Sequence, residues 1–391
     1  MLAAARRHRV ERGASGAVNA DVAVLRAVVE SAGDGPPRPP LSRVRAAVEL
    51  STVADDEVVF HDGASVHRFA ELLPDTEYVL EGSTVRTLPR PPGSLLATVA
   101  TVNDVHFGEV ECGVIEGVEL GPILQSEPGE DPYPETMNAA AVSEIASLGP
   151  DAVVAKGDLT SVGSAEEYGR FLDRYATAFG DRLLHVRGNH DAYHGEMPGY
   201  DQPATQHRRL AGVILAVLDT VVPGDSGGQV MADQLEWLDT LGAEADRPVL
   251  VFGHHHPWKP GSAERPEHYF GIRPDDSERL VEVVARRPAL VGYFAGHTHR
   301  NRVRRFEATG AVPWVEVACV KDYPGSWAEY RVFEGGILQI HRRLSTGPAL
   351  GWSERCRQLY AGLYGSYALG EISDRCFPIW PRSASFPTGC G

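Results

Sequence analysis

Gly188-Asn189-His190-Asp191 closes one apolar run of the chain. Four more short polar clusters close others: Asn103-Asp104-Val105-His106, Gly157-Asp158, Gly253-His254-His255-His256 and Gly296-His297-Thr298-His299. Taken singly, each reads as a turn in which Asn or Asp bonds the local backbone. Their shared position decides the fold class. Apolar runs end at Asp104, Asp158, His190, Asp219, His254 and His297, and helix-patterned segments at 136–148, 165–179, 231–243 and 277–287 separate several of them. Buried parallel strands read as continuous apolar runs, and α/β sheets bind ligands beyond the strands' carboxyl ends. The pattern predicts an α/β fold whose site is assembled from strand ends.

Outside this alternation the chain reads differently. Residues 1–40 begin basic and Ala-rich, allow one short helix within 21–31 and end in a Gly/Pro linker, so a partly disordered extension is expected. Residues 41–92 carry short β-like runs at 44–50, 57–61, 78–80 and 83–88, which predict a small β-rich, sandwich-like domain. Residues 95–345 hold all the polar clusters. Residues 346–391 are too apolar for a solvated tail and are expected to pack back as a lid or brace.

Bulk properties narrow the partners. A length of 391 residues exceeds one ordinary domain. A formal charge of −16 argues against a nucleic-acid surface and an anionic membrane, both of which need clustered Lys and Arg. Five cysteines without a CxxC pair read as a reducing compartment, with a Cys356–Cys376 pairing left open. Arg6, Arg7 and Arg9 are followed by none of the roughly 7–15 apolar residues of a secretory signal, so a cytoplasmic protein is expected.

The clusters point to metal chemistry. Asp104 and His106 are two apart, as are His297 and His299, and in extended backbone such pairs face one side. Imidazole and carboxylate donors suit Fe, Mn or Zn. Two ions roughly 3.5–4 Å apart are commonly joined by a bridging carboxylate. Asp158, with Gly157 leaving room beside it, is the natural bridge.

In this order and spacing, D-x-H, G-D, G-N-H-D, G-H and G-H-x-H resemble the calcineurin-like metallophosphoesterase superfamily over about 95–340. The closest likeness is to class III cyclic-nucleotide phosphodiesterases and related glycerophosphodiesterases. The resemblance implies a four-layer α/β/β/α sandwich and two divalent or mixed-valence ions. It carries Asp104, His106 and His299 to the first ion and Asn189, His254 and His297 to the second, with Asp158 bridging. His190 takes the place of a histidine that stabilises or protonates the leaving oxygen, with Asp191 orienting it. The implied reaction is in-line attack on a small phosphoester by a metal-bridging hydroxide. Purple acid phosphatases have a Tyr where this chain has Ser161, which argues against that branch. Three histidines follow Gly253, so alignment on the glycine selects His254 and alignment on Pro257 selects His255; His254 is taken here.

Leu72-Leu73-Pro74-Asp75-Thr76-Glu77-Tyr78 resembles the tyrosine corner of fibronectin type III modules, where the hydroxyl bonds back to nearby backbone. The loop 108–135 has eight Asp or Glu and no Lys or Arg, and is expected to be a solvated flap that repels polyanions. Arg187 and Arg273 are the nearest candidates to contact phosphate, and salt bridges account for them equally well. His194 and His268 read as surface residues, and Trp258 and Tyr269 as packing residues. A phosphodiesterase is the leading expectation, a phosphomonoesterase the second, and a binding module with structural metals the third.

Overall fold

The computed structural model describes residues 48–114, 120–266 and 269–382. The helix expected within 21–31, and His268, lie outside them. Five short strands come first: β1 (Glu49–Val53), β2 (Val58–Asp62), β3 (Ser65–Phe69), β4 (Glu77–Leu80) and β5 (Ser83–Arg86). The first three form one antiparallel sheet and the last two a hairpin. Strand β3 falls in a stretch where the sequence offered no β-like run. The Tyr78 hydroxyl accepts the Leu73 N–H at 2.8 Å, the bond a tyrosine corner makes. The apolar side chains of this region, Val53, Val58, Phe60 and Val85, share one cluster with Phe333, Leu338, Ile340 and Cys376 of the body.

Two six-stranded sheets follow. In the first, β6 (Leu95–Val102), β7 (Ala152–Lys156) and β8 (Leu183–Val186) run parallel. Antiparallel β15 (Ser326–Phe333), β16 (Gly336–Arg343) and β17 (Phe377–Ile379) extend it beyond β6. In the second, β10 (Val213–Leu218), β11 (Val249–Phe252), β12 (Leu290–Ala295) and β14 (Trp314–Glu316) run parallel. Its antiparallel edges are β9 (Thr205–Leu210) and β13 (Arg302–Arg304).

Period-two alternation explains the layering. Val213, Leu215 and Val217 of β10 face the first sheet and pack with Val99, Val154 and Val186. Ile214, Ala216 and Leu218 face the other way, toward helices α3 (Ala232–Glu244) and α4 (Pro274–Arg286). The opposite face of the first sheet is covered by α1 (Tyr133–Leu148), α2 (Ala165–Phe171) and α5 (Gly347–Cys356). The result is the four-layer α/β/β/α sandwich. Strands β10, β11 and β12 are apolar and buried on both faces, and each fully buried Val or Leu contributes roughly 1.5–3 kcal/mol.

Helix boundaries differ from the expected ones in ways local chemistry explains. Pro134 stands in the first turn of α1, where a missing N–H costs nothing, so the helix starts at Tyr133. Ser164 caps α2, accepting the Glu167 N–H at 3.2 Å, and Glu167 bonds back. The segment expected as one helix over 165–179 passes through a π-helical stretch, Leu172–Ala176, before the final turn Thr177–Phe179. Cys356 and Cys376 are both free and buried, which removes the pairing left open above. Trp352 of α5 stacks on Tyr133 at 4.2 Å between centroids, placing the last part of the chain against α1. No helix among the described residues is long and apolar enough to cross a membrane.

Candidate metal centre

The polar clusters sit at the carboxyl ends of five parallel strands drawn from both sheets. The first sheet supplies Asp104 and His106 after β6, Asp158 after β7 and Asn189 after β8. The second supplies His254 after β11, with His297 and His299 after β12. The site therefore exists only where the two sheets meet.

Backbone geometry corrects one step of the sequence reading. Asp104, His106, Asp158, His297 and His299 all have positive φ, between 46° and 70°, so neither His–x–His nor Asp–x–His lies on extended backbone. Left-handed conformations cost a residue other than glycine roughly 1–3 kcal/mol each. The loops hold them there by cross-bonding: the Asp104 N–H donates to the Gly157 carbonyl at 3.0 Å, and the Val105 and His106 N–H groups donate to the Asp158 carbonyl at 2.9 and 3.0 Å. Convergence comes from strained turns, not from strand alternation.

Seven side chains converge in two groups around one carboxylate. Asp158 Oδ2 lies 3.5 Å from His106 Nε2 and 3.4 Å from His254 Nε2. His299 Nε2 is 3.5 Å from Asp104 Oδ1. His254 Nε2 is 3.0 Å from Asn189 Oδ1 and 3.2 Å from His297 Nδ1. Asn189 donates its amide to the Tyr193 hydroxyl at 2.6 Å, which turns its oxygen toward His254. His254 in turn donates Nδ1–H to the Lys156 carbonyl at 2.8 Å, which turns Nε2 toward the other donors. His254 thus points Nε2 at Asn189 and Asp158, whereas His255 Nδ1 meets the Thr220 hydroxyl at 2.8 Å. Even so, His255 lies close enough to form a donor group with His254 and His297.

The donors fit cations. Asp104, His106 and His299 form one compact group, and Asp104, Asp158 and His254 another. His106 Nε2 and His297 Nε2 are buried and make no hydrogen bond among the described residues, which is costly unless an ion accepts their lone pairs. Electrostatics agree. Burial alone would raise the Asp158 carboxyl, but His254 and His190 beside it hold it well below the usual range. Burial would lower His254, yet Asp158 and Asp104 draw it up to about 9. Burial and the neighbouring His255 drive His297 well below its ordinary value. The pocket demands positive charge beside its carboxylates and neutral imidazole elsewhere.

His190 and Asp191 separate in role. The His190 ring packs edge-on against His106 at 4.5 Å, and its Nδ1–H donates to the Ser161 carbonyl at 2.9 Å. Burial pushes it down to about 4. Asp191 was expected to orient this ring, and that expectation is corrected. Its carboxylate accepts the Leu159 and Thr160 N–H groups at 3.0 and 2.8 Å, the Thr160 hydroxyl at 2.6 Å and the Gly188 N–H at 2.7 Å. It clamps the Asp158 loop to the Asn189 loop.

Arg187 is engaged with Asp219 at 2.9 Å and Glu196 at 3.1 Å, and Arg273 bonds Gln229 at 3.3 Å. His194 is exposed. Trp258 and Tyr269 pack edge-on at 4.4 Å, with the Tyr269 hydroxyl on His256 Nε2 at 2.7 Å. Within the loop expected to be a solvated flap, Cys112 is buried and pairs with Leu124, and Glu109 turns inward to His106. Sequence reasoning missed Glu109, Lys321, Asp322 and Tyr364. Composition hid the first among seven other acids, and no motif marks the rest.

A two-sheet sandwich with clusters of Asp, Asn and His side chains at its strand ends defines the class. The calcineurin-like phosphoesterase model matches residues 97–301, just over half the chain, and the chain belongs to that family. Among curated proteins it is 31% identical over 182 residues to the glycerophosphodiester phosphodiesterase GpdQ of Enterobacter lignolyticus, covering 43% of this chain and 64% of that protein. It is 28% identical over 206 residues to a probable cyclic nucleotide phosphodiesterase of Synechococcus, covering 51% of this chain and 78% of the other. Among solved structures, a dimetal phosphatase from Danio rerio is similar over 64% of this chain and 97% of its own, with 15% identity and a TM-score of 0.48.

Proposed function

We propose that this chain is a dinuclear metal-dependent phosphodiesterase acting on a cyclic nucleotide or a glycerophosphodiester. The observation that carries the reading is the Asp158 oxygen, which stands between imidazoles of two donor groups, at 3.5 and 3.4 Å. The names of the two curated relatives support the diester class. In the proposed assignment Asp104, His106 and His299 hold one ion, Asn189, His254 and His297 the other, and Asp158 both. Fe, Mn and Zn all suit these donors. Such an ion pair supplies Lewis acidity toward phosphoryl oxygens and lowers the pKa of coordinated water.

The chain's own groups do the rest. Asn189 and Asp158 keep their oxygens directed inward because Tyr193 and the His190 N–H occupy their other faces. With Nδ1–H fixed on the Ser161 carbonyl, His190 presents Nε2 to the pocket. In this reading Nε2 would take a proton from the attacking water and return it to the leaving oxygen as the P–O bond breaks. The net acidity of the 108–135 loop disfavours polyanions over singly charged diesters. The test is turnover of 3′,5′-cyclic AMP, glycerophosphodiesters and simple monoesters by one metal-loaded preparation. Diester turnover supports the reading, and monoester turnover alone replaces it with a phosphatase.

A further inference from the structure

We infer that the adjacent residues Lys321 and Asp322 are the positioning element for both imidazoles of the Asp104–His106–His299 centre, and that Trp352 and Tyr364 lock them in place. The inference rests on the metal centre proposed above and adds residues from outside the family match of 97–301.

The two side chains act on the two histidines from behind. Asp322 Oδ2 lies 3.3 Å from His299 Nδ1, and Glu109 Oε2 lies 3.0 Å from His106 Nδ1. Lys321 Nζ holds that glutamate, at 2.7 Å from Oε2. One dipeptide thus backs one imidazole with its own carboxylate and pins the carboxylate that backs the other. With carboxylate oxygens facing Nδ1 of each ring, both imidazoles present Nε2 forward, toward Asp104 or Asp158. A carboxylate behind a ligating imidazole fixes its tautomer and ring plane and strengthens the donor nitrogen.

The dipeptide is itself held. The Tyr364 hydroxyl donates to Asp322 Oδ1 at 2.8 Å and the Cys319 thiol meets the same oxygen at 2.7 Å. The Trp352 indole N–H donates to the Lys321 carbonyl at 2.8 Å. Tyr364 lies in the short helix α6 (Tyr364–Leu369), whose Tyr367 hydroxyl also donates to the Thr298 carbonyl, between His297 and His299, at 3.1 Å. Lys321, Asp322, Trp352 and Tyr364 are all buried. The contrast with the other centre is direct: His254 is backed by the neutral Lys156 carbonyl, and His297 lies face-on to Phe270 at 3.8 Å.

The experiment uses the full chain stripped of metal and titrated with Mn or Zn against a chromogenic chelator, for wild type, Asp322→Asn, Glu109→Gln and Tyr364→Phe. Thermal midpoints of the stripped proteins are measured alongside. Two ions per wild-type chain are expected, with one loosened roughly 10–100-fold by Asp322→Asn or Glu109→Gln. Tyr364→Phe, which keeps the ring, loosens the same ion several-fold with an unchanged stripped midpoint. Wild-type affinity for both ions in all three variants overturns the inference. So does a loss of affinity matched in every variant by a lowered stripped midpoint, which marks a purely structural role. Uptake of a third ion overturns it by making His299, Cys319 and Asp322 ligands themselves. Wild type that binds no metal at all fails the metal-centre reading instead.

Discussion

Asp158 and His254 come from different sheets, yet Oδ2 of one lies 3.4 Å from Nε2 of the other. The same carboxylate oxygen is 3.5 Å from His106, so a change at Asp158 reaches both donor groups, whereas Asn189 belongs to one. Metal analysis separates the two roles. Asp158→Ala is expected to lose both ions, and Asn189→Ala one of two, each with at least a hundredfold drop in turnover. Equal losses in both variants would remove Asp158 from its bridging place.

Gly157 sits beneath this carboxylate with φ +84°. A Cβ there would lie 2.6 Å from His254 Nδ1 and 2.7 Å from the Arg187 carbonyl. Gly157→Ala is therefore expected to lower stability by about 1–3 kcal/mol through backbone strain alone, and to displace His254 from the site. Urea unfolding and metal content measure the two effects. An alanine variant with wild-type values for both would show that the turn has room to relax.

Asp191 ties two loops with four accepted hydrogen bonds, three of them from backbone N–H groups. Leaving a buried donor unpaired costs about 1–3 kcal/mol, so Asp191→Ala is expected to cost several kcal/mol in urea unfolding. Asn retains part of the clamp and is expected to cost less. A variant with wild-type stability and collapsed kcat would return Asp191 to a direct part in the chemistry.

His61 and His185 predict acid sensitivity away from the ligands. Burial lowers His61 to about 3 and His185 to about 4, with Arg343 adding to the first. Unfolded histidine titrates near 6.5. Between pH 6.5 and about 4 the unfolded chain takes up protons that the folded one refuses. Stability therefore falls as pH falls through that window, by at most about 1.4 kcal/mol per unit per group. Urea midpoints between pH 7 and 4.5 are expected to fall less steeply for His185→Gln than for wild type. Identical slopes would mean that His185 is protonated without penalty.

What was legible in the sequence is what depends on near neighbours. Val213 to Leu218 are apolar throughout because both faces are buried, and the polar clusters closing such runs contain all seven proposed ligands, whose assignment to two ions rests on the family resemblance. The left-handed turns at Asp104 and His297 escaped detection because Asp and His carry no glycine-like mark of positive φ. Glu109 resembled the other acids of its loop, and only contact with Lys321, 212 residues away, turns it inward. Tyr364 reaches Asp322 across 42 residues through packing that no periodicity encodes.

The most direct test of the account is hydrolysis of bis-(p-nitrophenyl) phosphate against the mono-ester, with added Mn, by wild type and Asn189→Ala, with metal content determined on the same samples. The account predicts two bound ions and metal-dependent diester turnover in wild type, with turnover collapsing in the variant as one ion is lost. Diester turnover that survives both chelation and Asn189→Ala, or a wild-type chain that binds no metal, would contradict it.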